Sequence, residues 1–148
     1  MGVITYCDER YCSLIKPFSD WDHWDDEAEK IHGISRSNLH LNGNEAQEVC
    51  FSLNALLKNT TVYSDAWVHD SLWLNRLFYR SRIRQNFFLS PIESAVNEAQ
   101  LEIWDDVKVD EAQILGLQRH RASADALLIQ KTFEETRKRV NHILLNKT

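Results

Sequence analysis

The sequence predicts one α/β layered domain spanning residues 1–148, on three observations. Short β-rich segments alternate with longer segments whose apolar residues recur at helical spacing. Four Gly and two Pro are too few to draw a flexible linker. No internal repeat or low-complexity tract breaks the pattern, and 148 residues suit a single hydrophobic core.

Residues 3–7 (VITYC) and 11–16 (YCSLIK) read as neighbouring antiparallel strands around the polar turn Asp8-Glu9-Arg10. PFSDWDHWDD follows as a polar loop with two tryptophans. DEAEKIHG reads as a short helix, acidic in its first turn and stopped by Gly33. NEAQEVCFSLNALLKN places Ala46, Val49, Cys50, Leu53, Leu56 and Leu57 at helical period. TTVYSDA is β-rich and reads as a buried strand. WVHDSLWLNRLFYRSR returns to helical period, with Trp73, Leu74, Leu77 and Phe78 as its apolar face. QNFFLS is a candidate strand, and Pro91 suits the start of a mostly helical stretch to Gly116. Residues 121–146 form the clearest helix. Its expected inward face is Ala122, Ala126, Ile129, Phe133, Val140 and Leu144, with the Ala126–Phe133 part against the sheet.

Composition narrows the function classes. A hydrophobic fraction of 43% with 26% charged residues is ordinary for a globular chain. No apolar run approaches the roughly 20 residues that span a bilayer, so no membrane partner is expected. Asp8, Glu9 and Arg10 interrupt the apolar start, which argues against a signal peptide. Cys7, Cys12 and Cys50 fit neither a paired framework nor a zinc pattern and read as reduced thiols of a cytoplasmic protein. A formal net charge of -5 argues against coating nucleic acid by charge alone, but not against gripping it through bound cations.

Two aspartates stand out. Asp70 lies three and four residues before Trp73 and Leu74, and Asp125 lies one turn before Ile129, so each heads the apolar face of its helix. A carboxylate there either complements the helix dipole, worth about 0.3–1 kcal/mol, or serves a site. Asp70 also follows a strand end, where α/β sheets bind ligands. Two carboxylates converging there would suit a hard cation such as Mg²⁺ or Mn²⁺, with a histidine to take a proton from water.

Three segments resemble a known family. HRASADA (His120 to Ala126) is similar to the third motif of the DEDDh 3'–5' exonucleases, which include proofreading exonucleases and the ribonuclease T and oligoribonuclease groups. VYSDAWVHDSLWLNRLF (Val62 to Phe78) is similar to their second motif, and AEKIHGISRSNL (Ala28 to Leu39) to the segment between their first and second motifs. The resemblance implies a ribonuclease-H-like fold, a mixed sheet flanked by helices. It implies a two-metal Mg²⁺ or Mn²⁺ site with Asp70 and Asp125 as ligands and His120 as general base. It further implies single-stranded DNA or RNA ends as substrate, with His32, Gly33 and Ile34 as candidate contacts. Asp65 departs from the asparagine that many members carry there.

The family's first motif, Asp-x-Glu on the first strand, has no match. Asp8 and Glu9 are adjacent, so on a strand they would face opposite ways. Asp25-Asp26-Glu27 has the literal spacing, but no apolar strand precedes it. By resemblance VITYC corresponds to the family's second strand. Either an upstream segment is absent from this chain or the motif has been lost. The expectation is therefore a metal-dependent 3'–5' exonuclease that is weak or inactive as it stands, with an open sheet edge favouring a homodimer. The alternative is a catalytically silent domain of that fold, binding nucleic acid or a partner protein.

The remaining candidates stay open. DWDHWDD (Asp20 to Asp26) reads as an acidic surface loop anchored by Trp21 and Trp24 rather than a metal site, since its ligands have no site spacing. Arg76, Arg80, Arg82 and Arg84 suit either a grip on phosphates or a solvated helix face. His32 is either structural or a substrate contact. His23, His40, His69 and His142 read as surface residues.

Overall fold

The computed structural model describes residues 1–5, 7, 9–116 and 121–145. Among them it holds seven α-helices and two two-stranded sheets, a mixed α/β architecture. The chain divides into two compact units, Met1 with Cys12–Pro91 and Gly2–Tyr11 with Ile92–Thr148.

In the first unit, α1 (Asp26–His32) and α2 (Arg36–Asn42) are short and bury no residue. Both exist by virtue of their ends. Asp25 caps α1 by accepting the Glu27 and Ala28 N–H groups, and Ser35 caps α2 by accepting from Asn38. Gly33 closes α1 in the left-handed region at φ 64, where glycine carries no side-chain penalty. α3 (Ala46–Leu56) then turns Ala46, Val49, Cys50 and Leu53 inward, as its period predicts.

β3 (Thr61–Ser64), α4 (Trp67–Ser81) and β4 (Phe88–Pro91) form a strand–helix–strand crossover, and the strands are parallel from Thr61 opposite Phe88 to Ser64 opposite Pro91. α4 packs on α3 and on both strands, and Phe78 meets Phe87 edge-on at 5.8 Å between centroids. The buried side of α4 is Leu74, Leu77, Phe78 and Ser81. Trp73 does not share it and is 61% exposed, because one residue turns about 100° around a helix. β3 is also less buried than its composition predicts. Thr61 and Tyr63 are exposed and only Ser64 is buried, since a two-stranded sheet leaves a strand little to cover it.

The expected strand over 11–16 is two separate pairings. β2 (Arg10–Cys12) pairs with β1 (Gly2–Ile4), and Met1 and Ser13 exchange bonds in both directions, as antiparallel partners do. Ile15 instead bridges Asn44 in parallel. Tyr6 and Asp8, part of the expected strand and turn, lie outside the described residues; Thr5 N–H donates to Glu9 O across that turn at 2.9 Å.

In the second unit Pro91 is followed by a single 3₁₀ turn, Ile92–Ser94, rather than a helix start. Then come α5 (Glu98–Glu102), closed by an Asn97–Gln100 capping box, and α6 (Trp104–Leu115). α7 (Ala122–Leu145) is the long helix expected, packed against α6, α5 and β1. Its buried side differs from the expected one. Leu127, Leu128, Thr132, Thr136 and Val140 are buried, Ala126, Ile129 and Phe133 are half-buried, and Ala122 is exposed; the Leu144 side chain lies outside those described. The threonines are tolerated inside because each hydroxyl bonds a carbonyl of its own helix, Thr132 to Leu128 O at 2.8 Å and Thr136 to Phe133 O at 3.1 Å.

Candidate functional site

Asp70 stands in the first turn of α4, four residues after the turn that follows β3. By helical angle it shares the side of Leu74, Leu77 and Ser81, yet it is exposed, so it heads the buried face at its rim. The Ser64 hydroxyl donates to its carboxylate at 2.5 Å. Ser64 is itself buried at the end of β3, so strand and helix hold the carboxylate in one orientation. Sequence spacing points to Asp70 but not to Ser64, six residues away across a turn. Burial lowers the pKa of the Met1 ammonium, against the opposing pull of Cys12 and the Asp70 carboxylate.

Asp125 occupies the equivalent place on α7, in the first turn, half-buried, on the side of Leu128 and Thr132. Within its unit the head of α7 meets β1 at backbone contact. A Cβ on Gly2 would come within 2.5 Å of the Ala122 carbonyl carbon and 2.6 Å of Ser123 N. Gln130 on α7 adds a bond to Thr5 O at 3.0 Å. Asp70 belongs to the first unit and Asp125 to the second. His120 lies outside the described residues.

His32, Gly33 and Ile34 act on one another. His32 Nδ1 accepts the Ile34 N–H at 3.0 Å, and its ring stands edge-on to Trp24 at 6.4 Å. Trp24 in turn donates to Glu29 at 2.8 Å. A neutral His32 bonded this way carries its proton on Nε2. Gly33 borders an open recess of about 410 Å³ shared with Asp26, Glu29, Lys30, Ser35 and Asn38. Asp25 and Glu27, the literal Asp-x-Glu, are committed locally: Asp25 caps α1 and Glu27 pairs with Lys30 at 2.7 Å.

The acidic loop is anchored through Trp21, as its composition suggests, and its partners on α4 were not legible from spacing. Arg80 bonds Asp20 at 2.5 Å and stands 5.2 Å over Phe18. Arg76 stands 5.6 Å over Trp21, and Phe18 meets Trp21 edge-on at 4.9 Å.

Among the described residues no group of three or more His, Cys, Asp or Glu side chains is arranged to hold a metal ion. Hard divalent cations take six or more oxygens, and a two-metal site must hold both ions about 3.5–4 Å apart. No helix of the described residues is long and apolar enough to cross a membrane. No family model, curated protein or solved structure matches this chain.

Proposed function

We propose that the chain is a 3'–5' exonuclease-like domain of ribonuclease-H-like architecture, lacking the first strand and its Asp-x-Glu motif. Its ligands would be single-stranded DNA or RNA ends. The observation that carries the reading is the strand–turn–helix at Thr61–Ser81, which presents Asp70 at the rim of a buried helix face with its carboxylate oriented by Ser64. The resemblance of Val62–Phe78 and His120–Ala126 to the second and third exonuclease motifs supports it, in the same order along the chain. In this reading Asp70 and Asp125 are the carboxylates directed at a cation, and His120 is the base that would act on water. A homodimer in the cytoplasm is its quaternary and cellular expectation.

Because the sequence holds no Asp-x-Glu on an apolar strand, a second reading has its own support: a catalytically silent domain that retains nucleic-acid binding. One experiment separates the two. The chain is incubated with Mn²⁺ and a 5'-labelled single strand, with Asp70→Asn and Asp125→Asn beside it. Stepwise shortening from the 3' end that both variants lose supports the exonuclease. Binding of the strand with no shortening at protein in excess over substrate supports the silent domain. Neither binding nor shortening overturns both.

A further inference from the structure

The outer side of α4 carries a cluster that the carboxylate chemistry leaves unused. With Leu74, Leu77, Phe78 and Ser81 turned inward, the helix presents Val68, Leu72, Arg76 and Tyr79 outward, with Trp73 and Arg80 on its flank. Trp73 is 61% exposed and Tyr79 82%. Single exposed apolar residues are ordinary, but Leu72, Trp73 and Tyr79 together leave a large apolar area of one helix open to solvent. Trp73, Arg76 and Tyr79 follow at steps of three, spread over about 9 Å of helix axis and about 120° of its circumference, and the Arg76 guanidinium lies over the Trp21 ring.

The helix's own charge is one-sided, and the acidic loop that meets it at Arg76 and Arg80 brings Asp20 and Asp22 beside it. From Val68 to Arg84 there are four arginines and one acid, and that acid, Asp70, lies on the inward side held by Ser64. In a chain of net charge -5 this is a local concentration of positive charge. Arg80 is neutralised by Asp20. Arg76 stands over the Trp21 ring, and among the described residues no carboxylate forms an ion pair with it. Arg82 and Arg84, just past the helix, are exposed, and among the described residues no carboxylate pairs with either.

Exposed aromatic rings on a helix that also carries arginines match one kind of polyanion. A single strand offers unstacked bases to the rings and phosphates to the guanidiniums. A duplex hides its base faces, so the rings would gain nothing from it. We propose that the outer face of α4 is a binding surface for single-stranded nucleic acid, with Trp73 and Tyr79 stacking on bases and Arg76, Arg82 and Arg84 meeting phosphates. The surface rests on the proposed ligand class, single-stranded nucleic acid, and adds where the chain holds it, with neither a metal nor cleavage required.

The test is fluorescence anisotropy of the full chain with a labelled oligothymidylate of about fifteen nucleotides in EDTA, from about 50 to about 200 mM salt. Expected is saturable binding that weakens as salt rises and exceeds binding to a duplex of the same length. Trp73→Ala should weaken it by between about fivefold and a hundredfold with the salt slope unchanged, and Trp73→Phe should restore most of the loss. Arg76→Gln should reduce the slope of log affinity against log salt by about 0.7. All three substitutions are on exposed side chains, and unchanged circular dichroism and thermal midpoints verify the fold. Absence of saturable binding, equal affinity for duplex, or binding indifferent to both Trp73→Ala and Arg76→Gln overturns the proposal. Mn²⁺-dependent trimming that survives Trp73→Ala with unaltered binding overturns the surface but leaves the exonuclease reading standing. Loss of trimming in Asp70→Asn with binding intact supports the surface independently of the chemistry.

Discussion

The Ser64 hydroxyl donates to the Asp70 carboxylate at 2.5 Å and accepts the Ala66 N–H at 3.0 Å, so one oxygen ties the end of β3 to the head of α4. Ser64 is only 6% exposed, and water has little access to replace it. Ser64→Ala removes both bonds at once. A net hydrogen bond is worth about 0.5–1.5 kcal/mol, and somewhat more with a charged partner. The expected cost is about 1–2 kcal/mol, read as a lower urea midpoint with unchanged m value. Ser64→Thr, which keeps the hydroxyl, should lose less. An Ala variant as stable as the parent would mean the tie carries no weight.

Much of this arrangement was legible in the sequence. The β-rich TTVYSDA and the helical period after it predicted the strand–helix step, and Asp70 and Asp125 do head buried helix faces. What was missed has identifiable causes. α2 buries nothing, so it has no apolar period to detect; only its Ser35 cap signals it, alongside Gly43 at its end. The inward side of α7 was assigned by apolar spacing, which cannot see threonines that satisfy their hydroxyls within the helix. Hydrophobicity alone places Trp73 in the core, although it lies about 100° from Leu74 and is exposed. Within the candidate site, Ser64 was illegible because no spacing rule distinguishes a hydroxyl that orients a carboxylate from an ordinary turn serine. The Arg80–Asp20 contact, 60 residues apart in the chain, was illegible for the same kind of reason.

Gly2 should not tolerate a side chain. An added Cβ would sit 2.5 Å from the Ala122 carbonyl carbon and 2.6 Å from Ala122 O and Ser123 N, all backbone atoms that cannot rotate away. Gly2→Ala must therefore push β1 from the head of α7, and overpacking of this kind costs about 1–3 kcal/mol. Chemical denaturation of the two proteins measures it. An alanine variant of equal or greater stability would show that the contact relaxes freely.

The two buried threonines of α7 should respond differently to the same change. The Thr132 hydroxyl bonds only a carbonyl of its own helix, so Thr132→Val removes a donor and leaves little unsatisfied. The Thr136 hydroxyl also accepts from Gln100 Nε2 at 3.2 Å, and Gln100 is 94% buried by its 6% exposure. Thr136→Val strands that amide inside the unit, at about 1–3 kcal/mol. Thermal unfolding should place Thr136→Val below Thr132→Val by several degrees, at about 2–4 °C per kcal/mol. The reverse order would refute the role given to Gln100.

The three cysteines should separate by reactivity and by pH. Cys7 and Cys12 are exposed and Cys50 is fully buried in α3. In the native protein, a disulfide reagent such as dithionitrobenzoate should titrate two thiols quickly and the third only at the rate at which the unit opens. Burial pushes the Cys50 thiol above its ordinary value, with the neighbouring Ser81 hydroxyl pulling weakly the other way. The folded state thus disfavours the thiolate. The unfolded thiol titrates near about 8.5, so this contribution to stability is complete below that pH and is lost as pH climbs through the higher folded value. Lysines and tyrosines titrate over the same range, so the diagnostic is a difference. Cys50→Ala should be less stable than the parent near neutrality because it leaves a cavity. The gap between the two should stay level below about pH 8 and narrow above it as the parent's thiol ionises on unfolding. Three thiols reacting at one rate, or a gap that widens with alkalinity, would show that Cys50 is not held neutral inside the fold.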